Sequence, residues 1–119
     1  MTDTEEVKIA VKALDSKKAG NIKVIRIGDI TVLANYFVIA EGTSSTQVKA
    51  LADEVESKMG EAGIQPKCSI NQQGTNWITL DYIDVVVHVF LNETREFYGL
   101  EKLWADGELV DVSDLVKEN

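Results

Sequence analysis

Cysteine, histidine and proline are nearly missing from this chain: 119 residues contain one of each, Cys68, His88 and Pro66. A lone cysteine excludes an internal disulfide and any zinc site built on a cysteine cluster. Cys68 reads as a small apolar residue on a strand. A lone histidine leaves no histidine-rich metal centre and gives little support to a conventional catalytic triad. Long apolar runs are absent too. The longest, Tyr36–Ala40 and Val85–Leu91, are strand-sized, far short of the ~20 residues that span a membrane. The opening Met1-Thr2-Asp3-Thr4-Glu5-Glu6 is acidic and polar, unlike a secretory signal or an Arg-rich transit peptide. A cytoplasmic location and no membrane contact are expected. Positive charge is scarce as well. Twelve Lys and Arg face 20 Asp and Glu, a net charge of −8. That argues against direct sequence-specific recognition of nucleic acid, which needs a basic patch.

What is present suits one domain over residues 1–119, with 45% apolar residues to build a core. The acid is uneven. Residues 93–119 carry eight carboxylates against Arg95, Lys102 and Lys117, so five of the eight net negative charges lie there. The plain reading is a solvated, solubilising tail. The functional reading is a surface for a basic protein, and ribosomal proteins are the commonest such partners in a bacterial cytoplasm.

Val7, Ala10, Val11 and Leu14 recur at helical spacing, which predicts a helix from about Asp3 to Lys17. Thr2 with Glu5 suits a capping box, and Gly20 or Asn21 suits a left-handed residue at its end. Ile22–Ile27 and Tyr36–Ala40 read as strands. Ser44 with Gln47 fits a second capping box, ahead of an apolar stripe Val48, Leu51, Ala52, Val55 and Met59. Gly63 is the expected stop, with Ile64 packing back. Lys67–Ile70, Trp77–Leu80 and Val85–Leu91 are three further strands. Tyr82-Ile83 is a poor pair for a tight turn between the last two. Short helical turns are expected at Glu93–Tyr98 and Leu100–Trp104, then a loosely ordered acidic tail over residues 105–119. The order predicts an α/β (mixed) fold: one mixed sheet of about five strands, with helices packed on it.

Four places have residue types that can do chemistry. Glu41-Gly42-Thr43-Ser44, between a buried strand and a helix, is where free amides can hold an anion. It lacks the lysine and spacing of a phosphate loop, and reads more simply as a turn and N-cap. Asp81 and Asp84 flank a strand junction. Paired carboxylates can hold a divalent metal, but turn residues bonding nearby amides explain them as well. His88 shares a strand face with Val86 and Phe90. With no nucleophile or orienting carboxylate evident beside it, it reads as a structural or interface histidine. Arg95, Phe97, Tyr98, Leu100, Glu101, Leu103 and Trp104 combine aromatic and charged residues of the kind that dominate protein–protein hot spots. A helical lid over the sheet explains them equally.

Several of these strings together are similar to the iojap-like ribosomal silencing factor family. They are Asn35-Tyr36-Phe37-Val38-Ile39-Ala40-Glu41-Gly42-Thr43-Ser44 with Gln47-Val48; Gly74 with Trp77, Leu80 and Asp81; Asp84-Val85-Val86-Val87-His88-Val89-Phe90; and Arg95-Glu96-Phe97-Tyr98-Gly99-Leu100-Glu101-Lys102-Leu103-Trp104. Three positions depart from the family: Asn35 and Gln73 replace carboxylates, and Ile83 replaces a glycine. The resemblance implies a nucleotidyltransferase-like topology without the catalytic set, no enzyme activity, and no cofactor or metal. It implies binding to the large ribosomal subunit through its protein fourteen, blocking subunit joining when nutrients are scarce. The matching positions for that contact are Trp77, His88, Tyr98, Leu100, Glu101 and Trp104. The competing readings are a small magnesium-using nucleotidyltransferase built on Gly42-Thr43-Ser44 with Asp81 and Asp84, and a self-associating scaffold. A homodimer of the free chain is compatible with the main reading.

Overall fold

The apolar stripe of the first helix can be buried only against something flat, and the strands supply it. The computed structural model describes residues 3–28, 35–66, 68–72, 77–82, 84–92 and 108–110. Among the described residues, two helices, α1 (Asp3–Ser16) and α2 (Ser45–Glu61), accompany six strands: β1 (Gly20–Arg26), β2 (Tyr36–Gly42), β3 (Cys68–Gln72), β4 (Trp77–Asp81), β5 (Val85–Leu91) and β6 (Glu108–Val110). The strands form one sheet in the order β3-β4-β5-β2-β1-β6. Among these described strands only β2 and β5 run parallel, with Ile39 opposite His88; the other four pairings are antiparallel. The sheet is mixed, as expected, with one strand more than the five predicted. The extra strand, β6, pairs with β1 and falls within the stretch read as an acidic tail.

Both helices pack on one face of the sheet. Val7, Ala10, Val11 and Leu14 of α1 and Val48, Leu51, Ala52, Val55 and Met59 of α2 are buried there against Val24, Val38, Ala40, Ile78, Leu80, Val85, Val87 and Val89. These are the stripe positions read from both helices, and every second residue of the inner strands. A second cluster lies on the opposite face: Ile25, Ile27, Phe37, Ile39 and Phe90, with Trp77 and Val86 packed against it. Burial on both faces accounts for the unbroken apolar runs of β2 and β5, which hold the centre of the sheet.

The ends of the helices follow from their local sequence. Ser44 caps α2, its Oγ accepting from the Gln47 N–H at 3.1 Å. Past the other end, Ile64 N–H donates to Met59 O at 2.8 Å and Gly63 N–H to Gly60 O at 2.9 Å, with Gly63 at φ 83. That is a Schellman ending with glycine where a side chain would be strained. The end of α1 differs from expectation. Lys18, at φ 61, takes the left-handed position, and Gly20 is already in β1. Thr2, half of the capping box expected at the start of α1, lies outside the described residues.

Candidate functional site

The second face of the sheet gathers the residues with chemical character. His88 on β5 is opposite Ile39 of β2 on one side and Thr79 of β4 on the other. Period-2 alternation puts Phe90 and Val86 on the same face, and the register of β4 adds Trp77 opposite Phe90. The indole of Trp77 stacks on Phe90, with ring centroids 4.9 Å apart and 25° between planes. Phe37 meets His88 edge-on at 4.8 Å.

One hydrogen bond orders this cluster. The Trp77 Nε1–H donates to His88 Nδ1 at 3.2 Å. An indole nitrogen only donates, so Nδ1 must be the bare nitrogen of a neutral imidazole and the proton sits on Nε2. The Thr79 hydroxyl approaches the same Nδ1 at 3.5 Å, the limit of a hydrogen bond. His88 is 6% exposed, and its Nε2 is buried without a hydrogen-bond partner among the described residues. Burial lowers its pKa from 6.5 to about 4, against the opposing pull of the Asp81 carboxylate. The ring is therefore neutral near pH 7. It is no general base, because its one lone pair is occupied by Trp77. Trp77 itself is half-buried, at the rim of the cluster.

Of the six residues expected to contact a partner, the structure brings Trp77 and His88 together. Tyr98, Leu100, Glu101 and Trp104 lie outside the described residues. Sequence reasoning placed Phe90 beside His88 by alternation but missed Phe37 and Thr79. Their signal is the register between strands, which no single strand encodes.

The other candidates resolve into structure. Thr43 N–H and its hydroxyl donate to Gln47 Oε1 at 2.7 and 2.9 Å. Gln47 N–H goes to Ser44 Oγ at 3.1 Å, and Val48 N–H to Ser44 O at 3.0 Å. These amides are taken up by the chain itself, as a turn and cap would have them. Gln47 Nε2 also reaches the carbonyls of Lys17 and Lys18 at 3.4 and 3.2 Å, joining the start of α2 to the end of α1. Asp81 is half-buried at the end of β4 and Asp84 is exposed. The carbonyl of Asp84 accepts from Asn35 and Tyr36 N–H at 2.8 and 3.1 Å. Tyr82, between the two aspartates, donates its N–H to Val85 O at 2.9 Å, and Asp84 N–H donates to Tyr82 O at 3.0 Å; Ile83 lies outside the described residues. Among the described residues no three of His, Cys, Asp and Glu come together in a metal-holding group.

The model of one family, described as "Ribosomal silencing factor during starvation", matches residues 1–119. The chain belongs to that family. A ribosomal silencing factor of Bacillus subtilis is 40% identical over 112 residues, covering 94% of this chain and 95% of that protein. One from Halalkalibacterium halodurans is 36% identical over 98% of this chain and 99% of its own length. A crystal structure of a Chromobacterium violaceum protein superposes with a TM-score of 0.85 at 35% identity, covering 95% of this chain and 93% of that one. The chloroplastic Iojap protein of Zea mays is 29% identical, and this chain spans 49% of it. The family's description is of a silencing factor that acts during starvation. Among the described residues no helix is long and apolar enough to cross a membrane.

Proposed function

We propose that this protein silences translation by occupying the large ribosomal subunit. It binds the subunit's protein fourteen on the surface that meets the small subunit, and its bulk prevents the two subunits from joining when nutrients are limiting. The observation that carries this reading is the match to the silencing factor family along residues 1–119. The mechanism is steric, so it needs an interface and no bond-making group. Trp77, Tyr98, Leu100, Glu101 and Trp104 supply the contact, with His88 beside Trp77. A half-buried indole at the rim of an aromatic cluster is the kind of group that anchors such interfaces. The acid of residues 93–119 steers approach to a basic ribosomal protein.

Sedimentation with purified large subunits on a sucrose gradient tests the reading. The chain is expected to travel with free large subunits and to reduce reassociation with small ones. Trp104→Ala and Trp77→Ala are each expected to weaken binding by about thirty-fold, the cost of losing a hot-spot aromatic at ~2 kcal/mol. A folded chain that stays at the top of the gradient, or that rides on large subunits while they still join small ones, defeats the proposal.

A further inference from the structure

His88 belongs to the expected contact set, yet only 6% of it is exposed. Trp77, on the same face, is the more exposed of the two. Among the contacts of the indole are its stack on Phe90 at 4.9 Å, a tilted ring contact with His88 at 5.9 Å, and its N–H bond to His88 Nδ1 at 3.2 Å. The stack sets the plane of the indole against Phe90. The hydrogen bond sets which edge of the ring faces β5, because the donor sits at one edge and the acceptor is fixed on that strand. The acceptor in turn cannot swing away. Phe37 holds the imidazole edge-on at 4.8 Å, and the ring lies between Ile39 and Thr79 on the neighbouring strands. Depressed basicity keeps Nδ1 available as an acceptor at neutral pH.

We infer that His88 is a positioning residue for docking: it does not touch the partner, but fixes the Trp77 indole in the orientation that does. This rests on the docking reading above. An anchor ordered before binding costs less conformational entropy on association. Removing the acceptor therefore weakens docking even where the fold and the stack survive.

The test uses the whole chain with four substitutions. His88→Phe fills the site with a ring that lacks an acceptor. His88→Asn puts a carbonyl oxygen near the position of Nδ1. Trp77→Phe keeps a ring on Phe90 but has no N–H, and Trp77→Ala removes the anchor. Binding to purified large subunits is measured alongside the indole N–H resonance of Trp77 in the free protein. His88→Phe and Trp77→Phe are each expected to weaken binding by about tenfold, the scale of one lost buried hydrogen bond. Combined, they should be no worse than either alone. His88→Asn should restore both the affinity and the hydrogen-bonded indole signal. A folded His88→Phe chain that binds like the parent overturns the inference, as does His88→Asn failing to recover binding while the indole signal is restored. If Trp77→Ala binds at full strength, the docking reading for this face fails and takes the inference with it. Weak binding by Trp77→Ala beside unimpaired His88→Phe rejects the positioning role alone.

Discussion

Lys18 and Gly63 occupy the same position past the ends of the two helices, and only one of them is suited to it. Past α1, Lys18 N–H donates to Asp15 O at 2.9 Å and Ala19 N–H to Leu14 O at 3.0 Å. Past α2, Gly63 N–H donates to Gly60 O at 2.9 Å and Ile64 N–H to Met59 O at 2.8 Å. Both endings place a residue in left-handed backbone, Lys18 at φ 61 and Gly63 at φ 83. A side chain there costs roughly 1–2 kcal/mol, and glycine avoids most of it.

Opposite changes at the two sites should therefore have opposite signs. Lys18→Gly is expected to stabilise the fold by up to about 1 kcal/mol, since relief of strain exceeds the extra entropy glycine loses on folding. Gly63→Ala is expected to destabilise it by about 1 kcal/mol through backbone strain alone, because a Cβ at Gly63 meets nothing within 4 Å. Urea unfolding of the two variants checks both signs. A stabilised Gly63→Ala would show that the left-handed turn is not kept in solution.

Gly42 is constrained by space. A Cβ there would lie 3.1 Å from Val48 N, 3.2 Å from Val48 Cγ2 and 3.3 Å from Gln47 Cβ. The neighbours belong to the first turn of α2, which the capping bonds of Ser44 and Gln47 hold in place. Gly42→Ala must push that turn outward, and a loss of about 1–3 kcal/mol is expected, the usual cost of overpacking. Gln47→Ala, which frees the turn, should make the added methyl less costly, so a double-mutant cycle should be non-additive.

The sequence foretold most of what periodicity encodes. The stripes of α1 and α2 point to the helix-covered face, and the unbroken runs of β2 and β5 announced strands buried on both sides. Ser44, Gln47 and Gly63 announced the limits of α2, because each does a job few other residues do. What escaped depended on pairing between distant segments. Strand β6 has only three residues, too short to show alternation, and gains its identity from lying beside β1. Phe37 and Thr79 reach His88 through strand register. Lys18 was missed because glycine and asparagine, better suited to the left-handed turn, stand only a few residues further on.

Tyr82 offers a test with an unusual sign. The residue is 5% exposed in the helix-covered core, and its hydroxyl is buried without a hydrogen-bond partner among the described residues. Burial raises its pKa well above the ordinary value, and the carboxylates of Glu56 and then Glu6 push the same way. The phenol is held neutral, at the expense of its lost hydration. Tyr82→Phe keeps the ring and removes the stranded group, so the fold should gain up to about 1 kcal/mol. A loss of more than that on urea unfolding would show that the hydroxyl is bonded in solution.

The buried histidine makes stability depend on pH in a window set by its two pKa values. Unfolded, His88 takes up a proton near its ordinary pKa of 6.5; folded, it resists until about 4. Below pH 6.5 the unfolded chain binds a proton that the folded chain refuses, so acid favours unfolding. The contribution present above pH 6.5 is lost as the pH falls and levels off near pH 4. The Asp81 carboxylate reduces the effect by favouring the charged ring, and burial outweighs it. The full span corresponds to about 3 kcal/mol, near 1.4 kcal/mol for each pH unit in the window. Protonating the folded ring on Nδ1 would also set two donors, His88 Nδ1–H and Trp77 Nε1–H, against each other at 3.2 Å. Urea unfolding of the parent and of His88→Asn at half-unit steps from pH 4 to 7.5 isolates the term, because asparagine does not titrate. The difference between the two curves should be flat above pH 6.5 and should move in favour of His88→Asn as the pH falls to about 4. A difference that stays constant across the window would mean that the ring takes up its proton equally easily in both states, and the buried, neutral imidazole bonded to Trp77 would have to be abandoned.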